Sequence, residues 1–306
     1  MEFQKKQMQE AAILYYEKKH TQSEIAKMMN LSRQTVSKLL NDAVKEKIVE
    51  IKIHNPEIDC KELEQEICDK FNLRNAVICG VSNADEELCR IMTVKKAASY
   101  IQSIIEKGNQ KIAVSWGRTI QRLINQFSDI KTSNNIVFPL FGATDQEQAY
   151  FLSNELARSF ADKIGARVKY AWFPYRPDCI DDCELFRNTS YYKSLCDLWN
   201  DIDVAIVGIG NREILQTFSE VFGYNEKCAS AIGDISTHFF DKNGDFVELY
   251  ENTLCAKRDD LKNAKQTIAI ASGKDKTEAI VGAMRTQMID TLITDEYTAK
   301  NIIDYI

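Results

Sequence analysis

The sequence predicts an α/β fold in two parts, a small all-α helix-turn-helix head and a larger α/β body. Near the N-terminus, apolar residues recur at helical spacing in two short runs. From Asn75 onward, short apolar strands alternate with longer amphipathic helices, which is typical of a mostly parallel sheet covered on both faces. The length of 306 residues accommodates two domains. We therefore expect a head at residues 1–55, a linker helix at 56–74 and a body at 75–306.

Charge is divided unevenly between these parts. Residues 1–55 carry ten Lys/Arg against seven Asp/Glu, a net charge of +3, whereas the remainder carries 29 against 38, a net charge of −9. A basic head on an acidic body is typical of a small nucleic-acid-binding domain joined to a larger domain of another kind.

Composition argues against several other classes of protein. No apolar run approaches the ~20 residues of a membrane span, and the polar N-terminus does not resemble a secretory signal. The nine cysteines are scattered, and the Cys179–Cys183 pair has no second cysteine pair or histidine close by in sequence. We expect a cytoplasmic protein with reduced thiols, no metal and no cofactor.

The first helix of the head is predicted over residues 4–19, and the stretch Gln22–Leu40 predicts two more helices joined by a tight turn. Asn30 interrupts the pattern and is suited to a left-handed helix end, and Ser32 can cap the helix that follows. The inward positions are Ile25, Ala26, Met29, Val36, Leu39 and Leu40.

The outward side chains of the second helix of this pair are hydrogen-bonding groups and cations. They are Ser32, Arg33, Gln34, Thr35, Ser37 and Lys38. Such side chains read base edges and phosphates in a major groove, and no acid lies between Ser32 and Asn41. Helix pairs of this kind also occur in all-α proteins that never meet DNA. The small Ala26 and the spacing to Val36 favour a DNA-binding helix-turn-helix.

Alternation in residues 48–53 predicts a strand, and hence a minimal wing, and Pro56 marks the exit from the head. Residues 57–71 predict a linker helix whose apolar face either forms a dimer contact or packs on the body. In the body, strands are predicted at 75–81, 111–116, 135–140, 166–173, 203–210, 266–272 and 289–294, and helices at 84–107, 118–127, 145–163 and 191–200.

Four strand ends carry glycine-containing turns. They are Ser115–Thr119, Pro139–Gly142, Gly208–Arg212 and Ala271–Lys276. Each is explicable as a structural turn. However, the carboxyl ends of parallel strands form the ligand-binding edge of such sheets, and backbone N–H groups with Arg and Lys suit an anion. Together the turns predict a site for a small anionic ligand. No G-x-G-x-x-G follows the first strand, which argues against a simple dinucleotide site.

Five segments resemble, in order, the signatures of the SorC family of sugar-binding transcriptional regulators. They are IAVSWGRTI, DVAIVGIG, SAIGDISTHFFDKNG, ASGKDKTEAIVGAM and LITDEYTAKNI. The resemblance covers nearly the whole chain. It implies a bacterial regulator with a Rossmann-like effector domain similar to sugar-phosphate isomerases and CoA transferases, assembled as a homodimer or homotetramer.

The resemblance also implies effector-binding residues. Gly117, Arg118 and Thr119 match a phosphate-binding turn, Asp234 matches an acid that binds sugar hydroxyls, and Lys276 matches a lysine that contacts the ligand. The remaining predicted effector residues are Phe141 and Gly142, which match a second ligand-facing turn, and Gly210, from the third strand end. Some members carry an arginine at the position of Phe141, so its absence here indicates a singly phosphorylated ligand.

The first functional hypothesis is a regulator of a carbohydrate-utilisation operon, which binds operator DNA under the control of a phosphorylated sugar or polyol. The alternative is a sugar-phosphate isomerase or transferase, which would need a general base near its substrate. His238 is the body's only histidine, and Asp234 and Asp145 are the candidate carboxylates. A pure scaffold would leave the charged glycine turns unexplained.

Overall fold

The computed structural model describes residues 2–50, 59–81, 85–127, 130–132, 134–145, 152–222 and 226–306. It divides into two compact units, residues 1–57 and residues 58–306, and each unit has its own hydrophobic core. Within the described residues, no helix combines the length and the apolar character needed to cross a bilayer.

The described part of the first unit contains three α-helices. α1 (Glu2–Ala12) continues into a π-helical turn, Ile13–Glu17, and is followed by α2 (Gln22–Met28) and α3 (Arg33–Lys45). Thr21 and Glu24 form a reciprocal capping box at the start of α2. Asn30, with φ +54°, ends that helix in the left-handed conformation, as predicted.

The predicted inward positions form the core of the first unit. Ile25, Ala26, Val36, Leu39 and Leu40 are buried, whereas Met29 is only partly buried. Three residues of α1 complete this core, namely Met8, Ala11 and Ala12. The helix-turn-helix prediction is therefore confirmed at the level of packing.

The wing prediction is wrong for residues 48–50, and residues 51–54 lie outside the described residues. Lys47 takes φ +56°, and the Ile48 N–H donates to the Ala43 carbonyl at 2.9 Å. This hydrogen bond closes α3 as a Schellman cap. Ile48 and Val49 consequently pack against the head core instead of extending into a strand.

The second unit alternates helices and strands. Its helices are α4 (Lys61–Phe71), α5 (Glu86–Ile105), α6 (Arg118–Ile124), α7 (Ser153–Ile164), α8 (Ile180–Asn188), α9 (Ser190–Trp199), α10 (Arg212–Phe222), α11 (Arg258–Lys262), α12 (Thr277–Arg285) and α13 (Glu296–Tyr305). Its strands are β1 (Asn75–Cys79), β2 (Lys111–Val114), β3 (Ile136–Pro139), β4 (Arg167–Val168), β5 (Val204–Gly210), β6 (Gly233–Ile235), β7 (His238–Phe240), β8 (Phe246–Val247), β9 (Gln266–Ile270) and β10 (Thr291–Asp295).

Seven of these strands form a parallel sheet in the order β1-β10-β9-β5-β2-β3-β4. The chain proceeds from β2 towards β4 on one side and from β5 towards β1 on the other. The direction of winding therefore reverses between β2 and β5, which is the position where open α/β sheets bind ligands. β6, β7 and β8 form an antiparallel extension from the end of β5.

The predicted parallel sheet is confirmed, but one strand is much shorter than predicted. β4 covers Arg167–Val168 instead of residues 166–173. The Asn154 side chain accepts from the Ala171 N–H and donates to the Ala171 carbonyl, so this amide replaces a strand partner. α8 and the β6–β8 extension were not predicted. Of the helix predicted at 145–163, residues 146–151 lie outside the described residues.

The apolar face of α4 packs on the core of the second unit. Ile67 and Phe71 are buried there, and Leu63 is partly buried against it. This contact favours body packing for residues 61–71, although residues 57 and 58 of the predicted linker helix lie outside the described residues.

Candidate functional site

The exposed surface of α3 carries the predicted DNA-contacting side chains. Arg33, Gln34 and Lys38 are exposed, as are Ser32 and Thr35. Ser32 Oγ accepts from the Thr35 N–H at 3.0 Å, and the two hydroxyl oxygens lie 2.8 Å apart. Both hydroxyls therefore have a local partner at the start of the helix. The side chains of Arg33, Gln34 and Lys38 remain available to a binding partner outside the chain.

Ser37, the remaining predicted contact, is half-buried. It precedes Lys38 on the same helix, and its partial burial indicates a smaller role at the surface.

The second unit contains a cavity of about 220 Å³ at the carboxyl ends of β2, β5 and β9. Its walls include the turns Ser115–Thr119 and Gly208–Asn211, together with Asp234, Ser272 and Lys276. The cavity thus lies where the direction of winding reverses, and three of the four predicted turns contribute to it.

Two glycines are needed in these walls. Gly117 takes φ +110° in front of α6, a conformation that L side chains rarely adopt. Gly210 pairs with Asp234 in the β5–β6 ladder, and a Cβ there would lie 2.0 Å from Asp234 Oδ1. Only glycine at position 210 allows the carboxylate to lie against the β5 backbone.

Three arginines on the cavity wall are paired with carboxylates. Arg118 Nη2 lies 3.0 Å from Glu213 Oε1, and Arg90 Nη2 lies 3.7 Å from Asp275 Oδ1. The third, Arg122, pairs with Glu87 at 3.4 Å. These side chains are partly exposed, so each pair exchanges readily with another anion.

Lys276 and Asp234 are held by the protein backbone. Lys276 Nζ donates to the Ile209 carbonyl at 2.6 Å, and burial lowers the pKa of this ammonium against the opposing effect of Asp275 and Asp234. Asp234 accepts from the Thr237 N–H at 3.0 Å. Burial raises the pKa of Asp234 to about 6, although this hydrogen bond and Lys276 oppose the shift.

The structure does not bring Phe141 and Gly142 to this cavity, which corrects the prediction that they face the ligand there. Phe141 is fully buried and packs edge-on against Trp116 and Tyr175. A Cβ on Gly142 would lie 2.5 Å from the Pro174 backbone. Phe141 therefore packs behind Trp116, which lines the cavity, whereas Gly142 lies against Pro174.

Comparisons with known proteins agree with this architecture. The family model for a sugar-binding domain matches residues 55–304, and that for region 4 of sigma-70 matches residues 7–46. The sorbitol operon regulator of Klebsiella pneumoniae is 29% identical over 306 residues, which cover 95% of this chain and 96% of that protein. The chain belongs to the SorC family. It is a transcriptional regulator with a DNA-binding helix-turn-helix and a sugar-binding domain.

Two further comparisons extend over nearly the whole regulator. The crystal structure of full-length SorC from Klebsiella pneumoniae superposes with a TM-score of 0.75 at 28% identity and covers 97% of both chains. The deoxyribonucleoside regulator of Bacillus subtilis is 25% identical and covers 99% of each sequence.

Several cavity residues of this SorC-family regulator escaped the sequence prediction. Arg122 follows Arg118 by four residues on α6, a spacing that places both on one helix face, so this signal was available. Arg90 lies on α5, after β1, and no glycine turn marks it. Glu213 and Ser236 were not singled out either, whereas Asn211 and Asp275 lie within two of the predicted turns.

The histidine considered for an enzyme lies elsewhere in the regulator. His238 does not line this cavity; its Nε2 is 3.0 Å from the Ala256 carbonyl oxygen. Burial lowers the pKa of His238 to about 4, which favours the neutral imidazole with Nε2–H as donor. Its position gives the cavity no imidazole base.

The Asp234→Asn variant of the regulator is expected to alter the pH dependence of stability. Folding raises the pKa of Asp234 from 3.8 to about 6. Between about pH 4 and pH 6 the folded state therefore binds more protons than the unfolded state, and this contribution to wild-type stability is lost as pH rises. Asn does not titrate and keeps an acceptor for the Thr237 N–H. The Tm of the variant minus that of the wild type should increase across this window, measured by circular dichroism; a constant difference would contradict the assignment.

Proposed function

We propose that the chain is a cytoplasmic, homo-oligomeric bacterial regulator of a carbohydrate-utilisation operon, and that its effector is a singly phosphorylated sugar or sugar alcohol. The effector binds the cavity at the ends of β2, β5 and β9. The observation that supports this most strongly is the composition of the cavity wall, in which four cations and a buried carboxylate line one small space.

The cations define the charged end of the ligand. Arg90, Arg118 and Arg122 each pair with a carboxylate at the cavity, whereas Lys276 has no carboxylate within ion-pair distance among the described residues. One phosphate group can contact Lys276 and exchange with the weak pair at Arg118. A second phosphate would have to displace further carboxylates, so this charge balance supports one phosphate.

The residue at position 141 does not bear on the number of phosphates, because Phe141 is buried away from the cavity. The names of two relatives support a sugar or polyol as the uncharged part of the ligand. One relative is named for the sorbitol operon and the other for deoxyribonucleosides. Sugar and polyol hydroxyls suit Asp234, because a carboxylate accepts hydrogen bonds from them.

The coupling to DNA requires two arrangements of the assembled regulator. Paired heads bind paired half-sites, so the spacing of the heads determines affinity for the operator. The effector changes that affinity only if it binds one arrangement more tightly than the other. Nothing in this mechanism requires turnover, and the relatives are named as regulators.

A ligand panel tests the proposal on the full chain. Sorbitol 6-phosphate, glucose 6-phosphate, fructose 1,6-bisphosphate, their unphosphorylated counterparts and inorganic phosphate are screened by thermal shift. A singly phosphorylated sugar or polyol at 100 times its Kd should stabilise the second unit by about 2.7 kcal/mol and raise its Tm by several degrees. The same compound must change the affinity for a duplex selected from a random library.

Three results would contradict this function. One is an unchanged Tm with every phosphorylated compound, and another is a shift in Tm without any change in DNA affinity. The third is conversion of the bound compound to a product, detected by chromatography, which would support the isomerase or transferase alternative instead.

A further inference from the structure

The turn between β6 and β7 is a strained element at the edge of the cavity. Ile235 pairs with His238, so Ser236 and Thr237 form a two-residue hairpin loop. Their φ angles are +48° and +73°. Such loops favour Asn and Gly, because other L residues are strained in the left-handed region.

The Ser236 hydroxyl has no hydrogen-bond partner among the described residues. Ser236 Oγ and Thr237 Oγ1 are buried, in residues that are 3% and 6% exposed. A buried hydroxyl without a partner destabilises the folded protein, because it loses its hydrogen bonds to water. Strain and an unpaired polar atom therefore coincide at Ser236, and such sites are commonly functional.

Only the serine belongs to the effector cavity. Ser236 lines it together with Asp234, whereas Thr237 lines a separate cavity. The Thr237 backbone N–H holds Asp234 Oδ2 at 3.0 Å, so the same turn that fixes the carboxylate also contributes a serine to the cavity wall. An ionised carboxylate only accepts hydrogen bonds, but a hydroxyl both donates and accepts.

We propose that Ser236 is a specificity-determining residue that contacts a hydroxyl of the effector, next to the hydroxyl bound by Asp234. Rotation about χ1 turns its unpaired Oγ towards the bound ligand, which supplies the missing partner. The pair then recognises two neighbouring hydroxyls of a sugar or polyol. This inference rests on the proposed function, because it requires that a hydroxylated ligand binds the cavity.

The test compares Ser236→Ala with Thr237→Ala in the full chain. Both variants keep Cβ, and each removes one buried hydroxyl; Thr237→Ala removes a methyl group as well. Ser236→Ala should weaken binding of the ligand found in the panel about 5- to 10-fold by calorimetry, which is the effect of one neutral hydrogen bond. Thr237→Ala should change its Kd less than 2-fold. Ser236→Ala should not lower the Tm of the ligand-free protein, because it removes only an unsatisfied hydroxyl.

A deoxy series of the same ligand identifies the contacted hydroxyl. One deoxy analogue should bind wild type and Ser236→Ala with equal affinity. This analogue lacks the hydroxyl that Ser236 contacts, so removing the serine hydroxyl loses no further hydrogen bond. Inorganic phosphate, which has no polyol part, should also bind both equally. Unchanged ligand affinity in Ser236→Ala would overturn the inference, and so would an equal loss in Thr237→Ala or a lower Tm in Ser236→Ala. If wild type binds no compound of the panel, the proposed function fails and this inference falls with it.

Discussion

Replacing Arg33 and Gln34 together by alanine is expected to abolish sequence-specific DNA binding, with at least a 100-fold loss of affinity for the selected duplex. Both side chains are exposed in the first turn of α3, where recognition helices contact base edges. A well-placed side-chain contact to a base provides about 1–3 kcal/mol of discrimination, and two of them account for the difference between specific and non-specific binding. Fluorescence anisotropy with the selected and a scrambled duplex measures the change.

The fold should survive this double substitution. Arg33 and Gln34 do not belong to the core of the head, and alanine is the strongest helix former. The matched control replaces Lys6 and Gln9, a cation and an amide on the exposed face of α1, and should retain specific binding within a few-fold. Retained discrimination between the two duplexes in the Arg33 and Gln34 variant would show that another surface reads the DNA.

The head could be predicted from sequence because its determinants are local. The spacing of Ile25, Ala26 and Val36 sets which faces are buried, and Asn30 and Ser32 mark the helix ends within a few residues. The wing prediction was wrong for residues 48–50 because so short a stretch of alternating residues fits the end of a helix as well as a strand. Ile48 and Val49 would be apolar in a wing strand and equally in a segment that packs on the head core. The hydrogen bond from the Ile48 N–H to the Ala43 carbonyl shows that the segment closes the helix.

The cavity at the ends of β2, β5 and β9 could be predicted only in part, because strand order is not a local property. The turns at Gly117, Gly210 and Lys276 follow recognisable strands, so their meeting at one sheet edge is expected. Phe141 follows such a strand as well. However, β3 lies on the far side of β2 from β5, and its end is covered by the segment around Cys255. Nothing in the sequence near Phe141 indicates this cover.

The position of Asp234 shows a second kind of limit. Its place in the sequence suggested a role only through resemblance to a family, since it lies in a short antiparallel strand that periodicity did not reveal. The β5–β6 pairing brings it against Gly210, and the left-handed turn at Ser236 and Thr237 fixes its carboxylate. Long-range pairing between residues 210 and 234 therefore creates the acidic part of the cavity.

Replacing Lys276 by alanine is expected to weaken binding of the phosphorylated effector by about 1.5–3 kcal/mol, which corresponds to roughly a 10- to 150-fold higher Kd. Lys276 lines the cavity and is the cation there that no carboxylate pairs with among the described residues. Its ammonium already lies 2.6 Å from the Ile209 carbonyl, so a ligand oxygen can bind it without the displacement of an acid. Calorimetry with the phosphorylated compound and with its unphosphorylated counterpart separates the phosphate contact from the others.

The difference between these two ligands decides whether Lys276 binds the phosphate. The loss should be large for the phosphorylated compound and small for its counterpart, because the hydroxyl contacts at Asp234 remain. Lys274→Ala is the matched control, since Lys274 is an exposed cation in the same turn that does not line the cavity, and its affinity should stay within 2-fold of wild type. An equal loss of affinity for both ligands would show that Lys276 acts by holding the turn after β5 in place, through its hydrogen bond to the Ile209 carbonyl. Unchanged affinity for the phosphorylated compound would show that Lys276 does not contact the phosphate. The arginines of the cavity wall would then be the cations that bind it.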